Sequence, residues 1–228
     1  MACRVMMSAG PGVAAGPSMV QQPASVRFST SSVEFAGSRT GGAMMPMHLV
    51  NPPCSLAFVY GTLKQGFSNH WLIEDVVGAG HAQFIGVAKT KQMYPLVCGP
   101  FQVPFLLNMP NSGLQVKGEL YAVDQSALEL LDELEGVTKG HYERRPVVLT
   151  GLQSLEVDCA PSSEILAEAY FAHPTLQRGL SSAPHIPAYT KKETVNYVYR
   201  KDRPKNRTFL EHVNNWINAQ GPLSYIHI

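Results

Sequence analysis

"VKGELYAVDQSALELLDELEG", residues 116 to 136, places a strand directly before a helix, and that junction decides the fold class. Val116 to Ala122 reads as a strand, with large apolar Leu120 and Tyr121 near its end. From a cap at Asp124 or Ser126 to a stop at Gly136, helical spacing stacks Leu128, Leu131 and Leu134 on one face and leaves Glu129 and Glu133 in water. Glu135 breaks this division. It follows Leu128 by seven residues and Leu131 by four, so it falls inside the apolar arc, where an ionised carboxylate needs a partner or a chemical task.

Outward from this segment, further strands are predicted at 55–60, 82–89 ("AQFIGVAK"), 142–150 ("YERRPVVLT") and 165–171 ("ILAEAYF"), with a weaker one at 154–158. Strands outnumber helices. "SNHWLIEDVV" and "DQSALELLDELE" are helical, but they interrupt the strands without a strict βαβ alternation, which favours an α+β fold built on a small mixed β-barrel flanked by helices. The Pro-rich "MYPLVCGPFQVPFLLNMPNSG" reads as a loop containing a strand. Beyond it, "TKKETVNYVYR" and, after Pro204, "NRTFLEHVNNWINAQG" read as two helices, the second with Phe209, Val213, Trp216 and Ile217 at helical spacing.

The chain of 228 residues, 45% hydrophobic and 15% charged, has room for one well-buried domain and an appendage. Its net charge of +1 supplies no global field for nucleic acid or an anionic membrane. No apolar run approaches the ~20 residues of a membrane span. Cys3, Cys54, Cys98 and Cys159 are scattered with no CxxC or Cys/His cluster, so free thiols in a reducing compartment are expected rather than structural zinc or a disulfide framework.

Composition changes near residue 52. The preceding segment is rich in Ser, Ala, Gly and Met and carries Arg4, Arg27 and Arg39 against a single acid, Glu34. With few large apolar residues it cannot offset its chain entropy, and it reads as a disordered arm or an organellar transit peptide. The expected organisation is therefore an arm over 1–52, a barrel domain over 53–188 and a C-terminal helical extension over 189–228.

Two constellations could carry chemistry. In "FVYGTLKQG" a strand ending in Tyr60 meets Gly61, and a turn there can point the backbone N–H groups of Gly61, Thr62 and Leu63 outward as a small anion nest, or simply lead into a loop. GxxxxGK[ST] spacing is absent, so this is no phosphate loop. Glu135 is the second. As a helix-end acid it could be ion-paired to Arg144 or Arg145; alternatively, lost hydration and the negative end of the helix dipole raise its pKa toward that of a general base. Asp132 and Glu133 lie at the edge of that face and opposite it.

Other features carry less. His70, His81, His141, His173, His185 and His212 show no paired metal-ligand spacing, and neither a GxSxG motif nor a Cys/His pairing indicates a covalent nucleophile. The cluster of Lys191, Lys192, Arg200, Lys201, Arg203, Lys205 and Arg207 is diluted by Glu193 and Asp202, and it reads as a solvated face without an aromatic platform.

Taken together, "FVYGTLKQGFSNH", "YPLV", "VPFLL", "VKGELYAVD", "LLDELEG" and "YERRPV" resemble the γ-glutamylcyclotransferase-like family, most nearly its γ-glutamylamine cyclotransferase branch and the related avirulence-induced plant proteins. The order and spacing of six motifs over about residues 56–172 make the resemblance specific. It implies a small β-barrel flanked by helices, a loop of Tyr60, Gly61, Thr62 and Leu63 lining a substrate cavity, and Glu135 as the acid/base. Tyr142 is a further candidate for lining that cavity, or a packed strand aromatic.

The resemblance also implies a cofactor-free enzyme that converts γ-glutamyl amines to 5-oxoproline and free amine. γ-Glutamyl amino acids are the alternative substrates, and a γ-glutamyl-binding module without turnover is the alternative function. The expected partner is a small-molecule γ-glutamyl substrate, with no metal, nucleic acid or membrane, for a monomer or homodimer. A cytoplasmic location is expected, or a plastid or mitochondrion if residues 1–52 are an address. "GLQSLEVDCAPSSEI" looks like an elongated connection, and the helices after Tyr189 match the family only loosely.

Overall fold

Alternation along the strands sorts the buried side chains into two layers in the computed structural model, which describes residues 55–154 and 163–220. On β1 (Ser55–Val59), Phe58 enters one cluster while Ala57 and Val59 enter the other. The same division recurs on β5 (Lys117–Val123), between Leu120 and Tyr121, and on β7 (Ile165–Ala172), between Phe171 and Tyr170. A period of two puts alternate residues on opposite faces, so both faces of these strands are covered.

The first cluster is the barrel interior. β1 pairs antiparallel with β5, β5 with β2 (Ala82–Thr90), β2 with β6 (Tyr142–Gln153) and β6 with β7, and a parallel β1–β7 pairing closes the ring of five. Closure removes the unpaired edges that an open sheet would expose. β3 (Leu96–Cys98) and β4 (Pro104–Leu106) form a small antiparallel pair attached to β7 outside the ring. The Pro-rich segment expected to hold one strand thus holds two. At Gly86 the β2–β5 register shifts, and a β-carbon there would fall 2.3 Å from the carbonyl oxygen of Gln153.

The second cluster lies between barrel and helices. It joins α1 (Trp71–Gly78) through Ile73 and Val76, and α2 (Gln125–Glu135) through Leu128, Leu131 and Leu134. It also takes Leu176 and Leu180 from α3 (Pro174–Leu180) and Val213 from α5 (Phe209–Ala219). Burying each α2 leucine contributes roughly 1.5–3 kcal/mol. Of the two expected C-terminal helices, the second is formed as α5; the first is reduced to α4 (Lys191–Thr194), a single turn closed by a Thr190/Glu193 capping box. α3 was not expected. The weaker strand at 154–158 lies outside the described residues apart from Ser154, and so do residues 1–52, Cys3, Cys54 and Cys159.

One topological step positions Glu135. β5 runs antiparallel to β1, pairing Val59 with Glu119 and Ser55 with Val123. The chain then reverses at Asp124, whose side chain accepts from the Ala127 N–H at 2.9 Å as the N-cap of α2. α2 returns along the barrel until Gly136 stops it in the left-handed region at φ 66°. Its last residue, Glu135, is thereby delivered to the level at which β1 ends.

Candidate active site

The chain leaves β1 through Tyr60, whose hydroxyl donates to the Tyr170 carbonyl at 2.5 Å and accepts from the Leu106 N–H at 3.4 Å. This pins the start of the bend. Next, the bend's carbonyls are used up: Gly61 O accepts from Lys64 N at 3.3 Å, Thr62 O from Asn69 N at 3.0 Å, and Leu63 O meets the His70 ring at 2.8 Å. The N–H groups of Gly61, Thr62 and Leu63 have no acceptor among the described residues, and all three residues line a cavity. Unspent N–H groups on successive residues are what an anion nest requires. Gly61 is needed here for space rather than for a left-handed turn, because a β-carbon would fall 2.6 Å from Cγ of Pro104.

Glu135 lines the same cavity from the end of α2. Among the described residues no hydrogen bond or ion pair closes on its carboxylate. Arg144 instead donates to Asp132 at 2.9 Å, and the Tyr170 hydroxyl joins it there at 2.7 Å. Arg145 pairs with Glu143 at 2.6 Å. Both candidate counter-ions for Glu135 are therefore committed elsewhere. Burial raises the Glu135 pKa above the ordinary carboxylate value.

Three tyrosines surround this acid, and each spends its proton on another acceptor. Tyr60 donates to Tyr170 O, Tyr170 to Asp132, and Tyr142 to the Pro104 carbonyl at 2.9 Å. Burial raises all three hydroxyl pKa values, and the Glu135 charge adds to each shift, so they stay protonated. Tyr142 is also a packed aromatic, stacked on Phe105 with ring centres 5.2 Å apart. Both readings of this residue hold. All six expected site residues, Tyr60, Gly61, Thr62, Leu63, Glu135 and Tyr142, thus line one cavity.

The cavity also contains Arg203, which departs from the solvated basic face expected for its cluster, whereas Lys191, Lys192, Arg200, Lys201, Lys205 and Arg207 are exposed as expected. Arg203 is only 8% exposed. Its guanidinium carbon lies 5.2 Å from the ring centre of Phe101, 5.7 Å from that of Tyr197 and 5.5 Å from that of Phe209, the aromatic platform not recognised in the sequence. Phe101 reaches this place with a left-handed backbone at φ 61°. Tyr197 links the platform to the bend, because Asn69 Nδ2 donates both to Tyr197 Oη at 3.2 Å and to Thr62 Oγ1 at 3.0 Å.

Among the described residues, no group of three or more His, Cys, Asp or Glu side chains could hold a metal ion, and no helix is long and apolar enough to cross a membrane. Burial pushes the Cys98 thiol up to about 12, so it stays protonated and poorly nucleophilic. Among the described residues the cavity brings together an unpaired carboxylate, a row of backbone donors and a buried cation. Together these suit proton transfer on a small zwitterionic substrate.

Comparison with known proteins agrees with this chemistry. The family described as gamma-glutamyl cyclotransferase, AIG2-like, matches residues 57–212. An Arabidopsis thaliana protein whose name marks it as a candidate gamma-glutamylcyclotransferase is 46% identical over 175 residues, covering 72% of this chain and 92% of the relative. The gamma-glutamylaminecyclotransferase of Homo sapiens is 44% identical over 112 residues, 48% of this chain and 69% of that protein. Matches to the Danio rerio gamma-glutamylaminecyclotransferases span only about half of those proteins, 51% for the A form. Among solved structures, an AIG2-like protein from Mus musculus superposes with a TM-score of 0.56 at 31% identity, covering 66% of this chain and 99% of that one.

Proposed function

The chain belongs to the gamma-glutamyl cyclotransferase, AIG2-like family, and from that premise we propose that it converts γ-glutamyl amines to 5-oxoproline and the free amine, with Glu135 as the acid/base. The reaction is an intramolecular aminolysis. The substrate's α-amine attacks its own γ-carbonyl, the new C–N bond closes a five-membered lactam, and the bond to the γ-amide nitrogen breaks. Glu135, as carboxylate, takes the proton from the attacking amine and gives it to the departing nitrogen. Protons and bonds balance with no co-reactant.

The observation that carries this reading is that Glu135, partly buried and unpaired among the described residues, lines one cavity with Gly61, Thr62 and Leu63, whose N–H groups have no acceptor among those residues. The bend serves the substrate's α-carboxylate or the oxyanion that forms on the γ-carbonyl. Holding nucleophile and electrophile in a bent conformer can supply ~7–11 kcal/mol of the barrier in favourable intramolecular cases. The plainest test is incubation of the purified protein with γ-glutamyl-lysine isopeptide. The reading expects 5-oxoproline and lysine in equal amounts, whereas binding without lactam formation would make the protein a module that does not turn over.

A further inference from the structure

The segment "FVYGTLKQGFSNH" ends in Asn69 and His70, and the mechanism above gives Asn69 no task. Asn69 is only 5% exposed. It grips the bend twice: its backbone N–H donates to the Thr62 carbonyl at 3.0 Å, and its Nδ2 donates to Thr62 Oγ1 at 3.0 Å. The same Nδ2 donates to Tyr197 Oη at 3.2 Å. Both amide protons are thereby spent on hydroxyl oxygens of Thr62 and Tyr197, residues that line the cavity.

A hydroxyl that accepts must still place its own proton. Tyr197 Oη accepts a second hydrogen bond from Arg203, whose Nη2 lies 3.4 Å away, and among the described residues nothing accepts the Tyr197 proton. Thr62 Oγ1 is in the same state: it accepts from Asn69, and its proton meets no acceptor among those residues. Arg203 has no carboxylate partner there either, and its Nε is spent on the Val198 carbonyl at 3.0 Å. Thr62, Asn69, Tyr197 and Arg203 thus form one hydrogen-bonded row that starts in the bend. The unspent donors of this row, the hydroxyls of Thr62 and Tyr197 and the rest of the guanidinium edge, adjoin the N–H groups of Gly61, Thr62 and Leu63. Donors backed by a positive charge suit an anion.

The γ-glutamyl half of a substrate carries one permanent anion, the α-carboxylate, on the carbon that also bears the attacking amine. Glu135 takes that amine and repels the carboxylate, which is left to the donors on the bend side. We infer that Tyr197 contacts the substrate, donating its hydroxyl proton to the α-carboxylate seated in the bend, and that Asn69 is the positioning residue that turns the Tyr197 and Thr62 hydroxyls toward that anion. Arg203 supports the arrangement by donating to Tyr197 Oη and by supplying the balancing charge. The inference rests on the cyclotransferase reading above and adds to it side chains beyond the bend and Glu135.

The test compares binding of 5-oxoproline and 5-oxoprolinamide, which differ only in that the carboxylate is replaced by a carboxamide, by NMR titration of the full-length protein. The wild type should prefer 5-oxoproline by at least about 10-fold in Kd, the range of hydrogen bonds to a charged group. Tyr197→Phe should narrow that preference by roughly 5- to 10-fold, the difference between a hydrogen bond to a charged group and one to a neutral group. Asn69→Ala should narrow it as well, and by less in the Tyr197→Phe background, because part of its effect runs through that hydroxyl. Merely structural roles would weaken both compounds together and leave their ratio at the wild-type value, which would overturn the inference. Equal affinity for the two compounds, or no binding of either to the wild type, would overturn it too. In each of these cases 5-oxoproline release from γ-glutamyl-lysine isopeptide by the wild type keeps the cyclotransferase reading. No lactam from the isopeptide would overturn that reading and the inference with it.

Discussion

Arg144 closes on Asp132 at 2.9 Å and not on Glu135, one turn further along α2. Two acids near the end of one helix are thereby given different environments. Asp132 has a guanidinium and a tyrosine hydroxyl; Glu135 has neither and faces the cavity. Removing the Asp132 carboxylate in Asp132→Ala leaves Arg144 and the Tyr170 hydroxyl without an acceptor. The expected loss is about 1.5–3 kcal/mol, the range of hydrogen bonds to a charged group, measured by denaturant unfolding. An unchanged midpoint would mean that Asp132 does not hold this corner.

Glu135 should give opposite signs in stability and in catalysis. Its folded-state pKa is raised by burial above the ordinary value of 4.5. Below that ordinary value the group is protonated in both folded and unfolded states and makes no difference. As pH rises through the raised folded value, the folded protein must hold a poorly hydrated charge and stability is lost. Glu135→Gln is therefore expected to melt at a higher temperature than the wild type at pH 7–8, with the gap closing as pH falls toward about 4.5. Over the same interval, wild-type kcat/KM should fall as the carboxylate takes up its proton. A variant less stable than the wild type at neutral pH would show that the carboxylate has a partner after all.

Gly61 packs too close to Pro104 to carry a side chain. Gly61→Ala places a methyl group 2.6 Å from Cγ of Pro104, whose carbonyl holds the Tyr142 hydroxyl. Pro104 or the bend must move, and displacement by a fraction of an ångström misaligns the donors at Gly61, Thr62 and Leu63. The expected fall in kcat/KM is about 10- to 100-fold, with a stability cost of about 1–3 kcal/mol from overpacking. Wild-type kinetics in this variant would remove the bend from the site.

His141 offers a test of the packing behind the site. Burial, with Arg200 and Lys139 adding to it, lowers its pKa to about 4, and its ring lies edge-on to Phe209 with centres 5.1 Å apart. An NMR titration should find this imidazole neutral from pH 8 down to pH 5. The sign for stability follows: the ring is uncharged in both states above its ordinary value of 6.5, and stability is lost as pH falls from there toward about 4, because only the unfolded chain gains the proton. A mid-range titration of His141 would mean that α5 does not cover it.

The parts of this molecule legible from sequence are those set by local periodicity. The three leucines of α2, its cap and its glycine stop follow from neighbours within one or two turns, and the five barrel strands follow from alternating or continuous apolar runs. Glu135 was legible for the same reason, since its oddity is a matter of register with Leu128 and Leu131. Arg203 was not. Its burial depends on Phe101, Tyr197 and Phe209, and Phe101 lies about a hundred residues from the other two. A charge count sees a basic run there. The steric reason for Gly61 depends on Pro104, and the parallel closure of β1 on β7 joins strands more than a hundred residues apart. Along "TKKETVNYVYR" the helical pattern lost to tertiary contacts. The chain there extends so that Val198 N–H reaches Phe101 O and Tyr197 covers Arg203.

The most direct measurement is the single-turnover rate of 5-oxoproline formation from γ-glutamyl-lysine isopeptide by Glu135→Gln, compared with the wild type at saturating substrate. The glutamine keeps the size and burial of the side chain and cannot take a proton. The account predicts a rate lower by about 10²- to 10⁴-fold, with substrate still bound. A rate equal to that of the wild type would contradict it, because the proton would then be travelling by a route that does not pass through Glu135.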